Sequence, residues 1–213
     1  MGMPGVGKGT QAASLRQALE VPHVSTGDIL REAVREGSPL GRKVKGVLEA
    51  GELVSDSMMG ELIVVRLGRE DTGRGFILDG FPRTREQVTI LDGVLERLGI
   101  QLDAVFLLTA PAEEIVRRLS GRRVCPECSE VYHLEARLPE SAGVCDACGS
   151  ALVQRPDDTE EVVRGRLRVY AEQTLPLAEV YRERKLLHET DATGEPDVVF
   201  ERLKQALASL ETS

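Results

Sequence analysis

Residues 2–10 read Gly2-Met3-Pro4-Gly5-Val6-Gly7-Lys8-Gly9-Thr10, and the fold turns on them. The glycines let the backbone take conformations barred to other residues, so successive N–H groups can turn inward around an anion. Lys8 would set an ammonium against the terminal phosphates of a nucleotide. A helix starting near Gly9 would add the positive end of its dipole. Gly2-x4-Gly7-Lys8 is a phosphate-loop spacing, but Gly9 stands where the common pattern has Ser or Thr, and Thr10 comes one place later. A glycine-rich turn by itself is often only a tight bend. The full run Gly-x-Pro-Gly-x-Gly-Lys-Gly-Thr is far more specific.

Outward from the loop, short apolar runs alternate with helical periods, which predicts an α/β fold with a parallel sheet and helices on both faces. Residues 21–25, 76–78, 104–108 and 186–189 read as strands. Helices are expected over 10–19, 27–36, from Ser38-Pro39 to Gly51, and over 56–69, 84–98 and 111–119. Asp158 with Glu161 has the spacing of a capping box that would open a helix through Tyr170. Pro176 would kink that helix or start the next, and Pro196 would open the last. The stretch 121–158 is rich in cysteine, glycine and proline and lacks a helical period. It reads as a small insertion held by its own staple.

The chain has 213 residues, enough for one full domain with small insertions. The formal charge of −8 argues against a general electrostatic grip on nucleic acid. Of the 27 basic residues, 22 are arginines, whose planar fork suits phosphate. The longest apolar runs are about five residues, too short to span a membrane, and no signal peptide is read at the start. A cytoplasmic protein without a membrane partner is expected.

Cys125-x2-Cys128 and Cys145-x2-Cys148 are 16 residues apart, a four-thiolate zinc spacing. Four sulfurs leave no coordination position open, so the zinc would be structural and would staple a segment too small to hold a core. His133 between the knuckles is a competing ligand, and two disulfides are the other alternative. A zinc ribbon could also serve a binding module, but 125–148 has a single basic residue, Arg137, where a nucleic-acid ribbon would be basic.

Further motifs follow in order: Ser25-Thr26-Gly27-Asp28, Leu78-Asp79-Gly80-Phe81-Pro82-Arg83, Gly121-Arg122-Arg123-Val124 and Asp157-Asp158. With the loop and the four cysteines, this ordered set covers nearly the whole chain. It resembles the adenylate kinase family, in its long bacterial form with a zinc-bearing lid. The resemblance implies a P-loop nucleoside monophosphate kinase fold with two inserted flaps. The core would be 1–24, 55–120 and 159–213, with a monophosphate-binding flap at 25–54 and a lid at 121–158. The family normally has a short apolar strand before its loop, whereas only Met1 precedes Gly2 here. Either the natural start lies several residues upstream, or the sheet lacks its central strand. The first is favoured, because losing several buried side chains at about 1.5–3 kcal/mol each would consume most of a domain's ~5–15 kcal/mol.

The resemblance also implies Mg2+-dependent phosphoryl transfer from ATP to AMP, giving two ADP, by a monomer. It places Gly5, Val6, Gly7, Lys8, Gly9, Thr10, Arg118, Arg122, Val131, Tyr132 and Glu195 on ATP. It places Thr26, Arg31, Glu52, Leu53, Val54, Gly80, Phe81, Arg83, Gln87, Arg155 and Arg166 on AMP. Lys8, Asp79, Arg83, Arg118, Arg122, Arg155 and Arg166 would carry the chemistry, with Asp79 positioning Mg2+ through water. Several of these have plainer readings. Ser25 and Thr26 can simply cap a helix, and Asp79-Gly80 can be a turn. Thr84-x-x-Gln87 is also a capping-box spacing, while the family reading gives the Gln87 amide to adenine, which guanine would leave unpaired. A kinase for UMP, CMP or GMP, or a non-catalytic nucleotide-binding protein, are the alternative functions.

Overall fold

The structure, a computed structural model, describes residues 1–210; the last residues of the expected core segment, 211–213, lie outside the described residues. The phosphate loop leads into α1 (Lys8–Leu19), for which Gly7 is the left-handed N-cap. β1 (His23–Ser25) runs into α2 (Thr26–Arg35), where the Ser25 hydroxyl accepts from the Asp28 N–H. α3 (Pro39–Glu49) is capped in the same way by Ser38, with proline at its first turn. α4 (Asp56–Leu67), β2 (Ile77–Asp79) and α5 (Arg85–Leu98) follow, and Thr84 caps α5. β3 (Val105–Thr109), α6 (Ala112–Ser120), β4 (Arg122–Val124) and β5 (Val131–His133) lead into the cysteine-bearing insertion. α7 (Glu160–Val169), α8 (Leu177–Glu183), β6 (Leu187–Asp191) and α9 (Pro196–Leu210) complete the chain.

The four strands outside the insertion pair in parallel, as expected, but as two ladders, while β4 and β5 pair antiparallel. β1 lies on β2 with Ser25 opposite Asp79, and β3 lies on β6 with Val105 opposite Leu187. Among the described residues, only the start of the chain runs between the ladders. Leu108 donates its N–H to the Met1 carbonyl at 3.0 Å, and Gly2 bridges to Leu108. Among the described residues no bridge joins this stub to β2. Helices cover both faces, because strand side chains alternate. Val24 and Leu78 join Met59, Ile63 and Leu91 from α4 and α5, while Ile77, Phe106 and Leu108 join Leu15, Ile115 and Leu203 from α1, α6 and α9. Val105 and Leu187 pack with Tyr181 of α8.

Two local expectations are corrected. Asp158 does not cap α7: it sits in a short turn over Pro156–Asp158, and Thr159 is the N-cap, without a side-chain bond. The Asp158 carboxylate is taken by an arginine, as described below. α7 also does not reach Tyr170 as regular helix. A wider turn covers Tyr170–Thr174, and α8 begins after Pro176, which has no N–H to continue the ladder.

Candidate active site

The elements aim their carboxyl ends, and the loop between Gly2 and Lys8, at one cavity of about 1360 Å³. Open parallel folds place ligands at such a rim. Gly7, Lys8, Gly9, Thr10, Asp79, Arg31, Arg83, Arg118, Arg122, Val131, Arg155 and Arg166 all line it. The cavity also extends between β2 and β3, past Phe76, Ile77, Val105 and Phe106, where the two ladders fail to meet.

The loop has the conformation its glycines imply. Gly5 and Gly7 have φ of 81° and 100°. A Cβ on Gly5 would fall 2.5 Å from the Leu119 side chain, so the loop is seated on α6. Val6 points into the core, 1 % exposed. Lys8 donates to the Gly2 and Met3 carbonyls, each at 2.9 Å. Burial pushes its pKa down to about 8, against the pull of Asp79; Arg83, Arg166 and Arg122 push it lower still.

The arginines split into two kinds. Arg122 makes a two-pronged contact with Asp158, at 2.7 and 2.5 Å, and Asp158 is fully buried. Arg166 donates to the Asp157 carboxylate at 2.7 Å, and Arg118 to Glu114 at 3.0 Å and the Ala192 carbonyl at 3.1 Å. These acids hold three cations at the rim and leave part of each fork for a ligand. Arg83 and Arg155 carry less compensation. Burial and the neighbouring Arg166 lower Arg83, and burial with Arg31 and Arg122 lowers Arg155 to about 10. A polyanion would relieve this crowding.

At the β2 end, burial works to raise Asp79, but His23 and Lys8 outweigh it, and the carboxyl is lowered to about 2. Gly80 turns the chain at φ 84°; a Cβ there would strike the Thr26 hydroxyl at 2.7 Å. Thr26, Arg31, Glu52, Leu53, Val54, Gly80, Arg83 and Gln87 line a small adjoining pocket of about 60 Å³. Gln87 accepts from the Arg83 N–H at 2.8 Å and donates to Asp56 at 2.8 Å, while its own N–H goes to Thr84. A carboxylate only accepts, so Asp56 fixes which end of the amide faces it. Phe81 lines the main cavity with its side chain largely in the core.

Three residues placed on ATP by the resemblance do not line the cavity: Val6, whose side chain is in the core, Tyr132 and Glu195. Tyr132 is buried in the insertion, its hydroxyl accepting from the Asp146 N–H at 2.8 Å and lying 3.7 Å from Cys145 Sγ. Neither Tyr132 nor Glu195 lines either pocket. Sequence reasoning missed Asp56 and His23, whose roles depend on side chains brought from other elements.

The four cysteine sulfurs lie within 4.8 Å of one another. The nearest pairs, Cys125–Cys148 at 3.3 Å and Cys128–Cys145 at 3.5 Å, are far too long for disulfides. The two knuckles share one backbone design. Cys125 and Cys145 each accept at their carbonyl from the residue four on, Ser129 and Gly149, and each donate to the carbonyl five on. Ser129 and Gly149 are left-handed, at φ 64° and 75°. His133 is not part of the cluster: its Nδ1 accepts from the Glu135 and Ala136 N–H groups.

A family model described as adenylate kinase matches residues 1–186. The chain belongs to the adenylate kinase family. It is 45 % identical to the adenylate kinase of Clostridium tetani over 210 residues, covering 99 % of this chain and 97 % of that protein. It is 48 % identical to the adenylate kinase of Trichlorobacter lovleyi over 206 residues, covering 97 % and 96 % of the two chains. The adenylate kinase of Gloeobacter violaceus is 48 % identical over 211 residues, with 97 % and 96 % covered. The P-loop kinase fold and the nucleotide-binding phosphotransferase class follow from this membership. No helix among the described residues is long and apolar enough to cross a membrane.

Proposed function

We propose that the chain transfers the γ-phosphoryl group of Mg·ATP reversibly to AMP, giving two ADP. The observation that carries this reading is the convergence of Lys8, Arg83, Arg118, Arg122, Arg155 and Arg166 on one cavity. An AMP phosphate oxygen attacks the γ-phosphorus in line, and the β–γ bridging oxygen leaves with ADP. The nucleophile is already anionic, so no general base is required. Catalysis is positioning plus charge neutralisation. Lys8 would exchange its two loop carbonyls for phosphate oxygens. Arg118 and Arg122 serve the ATP side with Gly5, Val6, Gly7, Gly9, Thr10 and Val131. Arg31, Arg83, Arg155 and Arg166 serve the monophosphate, beside Thr26, Glu52, Leu53, Val54, Gly80, Phe81 and Gln87.

Asp79, held ionised at the rim next to the loop, is an oxygen donor of the kind a hard cation takes. Mg2+ supplies charge neutralisation on the β- and γ-phosphates when bound with ATP. The four sulfurs suit a closed tetrahedral zinc, for which Zn–S bonds of ~2.3 Å give sulfur–sulfur separations near those seen. Segment 25–54 acts as the monophosphate flap and 121–158 as the lid, with 1–24, 55–120 and 159–213 as core. Arg35 of α2 already donates to the Pro126 carbonyl across them, at 3.2 Å. Their closing would keep water from ATP. A monomer in the cytoplasm completes the reading.

The test is ADP formation from Mg·ATP with AMP, GMP, CMP and UMP in turn. Turnover confined to AMP is expected; a preference for another monophosphate overturns the substrate assignment. Lys8→Ala should reduce turnover far more than it changes the melting temperature. Undiminished activity would remove Lys8 from its role.

A further inference from the structure

His23 is not used by the mechanism above, yet it is built against one of its central groups. In β1, His23 and Ser25 share a face, and Ser25 stands opposite Asp79. His23 is therefore the diagonal neighbour of Asp79 on that face, within reach of a long side chain. Its Nε2 lies 3.5 Å from Asp79 Oδ2, with both side chains only 14 % exposed. That nitrogen is inaccessible to water and has no hydrogen-bond partner among the described residues. The same carboxylate oxygen faces the phosphate loop: a Cβ on Gly9 would stand 3.9 Å from it. The register partner of His23 is Ile77. An aliphatic residue would pack there without burying an unsatisfied ring nitrogen, which is costly.

Resting on the phosphoryl-transfer reading, we propose that His23 is a positioning residue for the metal–nucleotide site. Its imidazole holds the Asp79 carboxylate turned toward the loop, so that this group takes the water shell of the divalent cation carried by ATP. The loop's own chemistry makes such support necessary. Gly9 has no hydroxyl where many phosphate loops present one to the cation. The protein's hold on the metal then falls on a carboxylate, and a carboxylate free to rotate is a poor anchor. Partners behind a metal-facing group commonly change metal affinity by about 10–100-fold when removed.

The test uses the whole chain with His23→Leu and His23→Gln. Mn2+ replaces Mg2+, and its binding to the enzyme–ATP complex is followed by electron paramagnetic resonance. ATP binding without metal is measured by titration calorimetry, and folding by thermal melting. His23→Leu is expected to weaken Mn2+ binding about tenfold, with metal-free ATP binding unchanged. His23→Gln, whose amide N–H can reach the same oxygen, should retain Mn2+ binding. Wild-type Mn2+ affinity in His23→Leu would overturn the proposal. So would equal losses in the two variants, or an equal loss of metal-free ATP binding, which marks a packing role. Failure of the underlying reading looks different: the unaltered chain would make no ADP and bind no Mn2+ with ATP, and both conclusions would fall.

Discussion

The two segments that flank the cavity are held together by different physics. The 25–54 segment is two capped helices laid on the main core, with Leu30, Val44 and Val54 buried among residues of α4 and α5. α2 and α3 touch backbone to backbone: a Cβ on Gly41 would fall 1.9 Å from the Ala33 carbonyl oxygen. The 121–158 segment has almost no core. Cys125, Tyr132 and Cys145 pack with Leu152, while Leu134 and Leu138 stay 52 % and 66 % exposed. A unit this small cannot bury enough surface to fold on apolar contacts alone. A zinc ion held by the four sulfurs, as proposed, would supply the missing constraint. On that proposal one side of the site is held by burial and the other by a metal cross-link, with Arg35 to Pro126 as a contact between them.

The largest effect should come from the cross-link. Structural zinc in small domains contributes on the order of 10 kcal/mol. Chelation, or Cys145→Ser, is expected to take zinc content from one per chain to none and to open 121–158 to protease. The rest of the chain should stay folded. A segment that resists protease equally well without metal would show that it holds itself, and the contrast with 25–54 would collapse.

Leu30→Ala tests the other side. Leu30 is 4 % exposed in the main cluster, and its truncation should cost about 2–5 kcal/mol in urea unfolding. The cost should be the same with and without chelator, because separated sites add. A cost that depends on metal would mean the two segments support each other, through contacts such as Arg35 with Pro126.

Gln87→Leu gives a smaller, more discriminating effect. It leaves the Arg83 N–H and Asp56 without their amide partner, for about 1–3 kcal/mol of stability. If the amide also reads the base, the preference for AMP over GMP should fall about tenfold. Stability loss with the preference intact would leave Gln87 as a cap alone.

What could be read in the sequence follows the same divide between local and assembled features. The phosphate loop, the capped helices and the paired cysteines declare themselves within a few residues, because glycine, Ser-Pro and Cys-x2-Cys act locally. Thr84 and Ser38 do cap their helices. Asp158 was misread because a capping spacing says nothing of an arginine 36 residues away. His23 and Asp56 gave no local signal at all, since their partners arrive from other elements. The packing of the Tyr132 ring with Cys125, Cys145 and Leu152 was equally silent in the sequence, because those partners lie at scattered positions along the segment.

The smallest expected effect links the two sides through the floor between them. Lys8 is lowered from 10.5 to about 8, chiefly by burial. Between those values the unfolded chain keeps a proton that the native chain has given up, so this group makes stability rise with pH across that window. Phosphate binding reverses the preference, because it favours the ammonium. ATP affinity should therefore decline above about pH 8, by up to tenfold per pH unit. Lys8→Arg, always charged, should bind with no such slope; an unchanged slope would assign the titration elsewhere. Arg122, on the first strand of the 121–158 segment, is one of the charges that depress Lys8. If removal of the proposed zinc loosens that segment and draws this charge away, the midpoint should move up slightly. The corresponding loss of Leu30 packing should leave the midpoint where it was, since no charge near Lys8 is carried by that side chain.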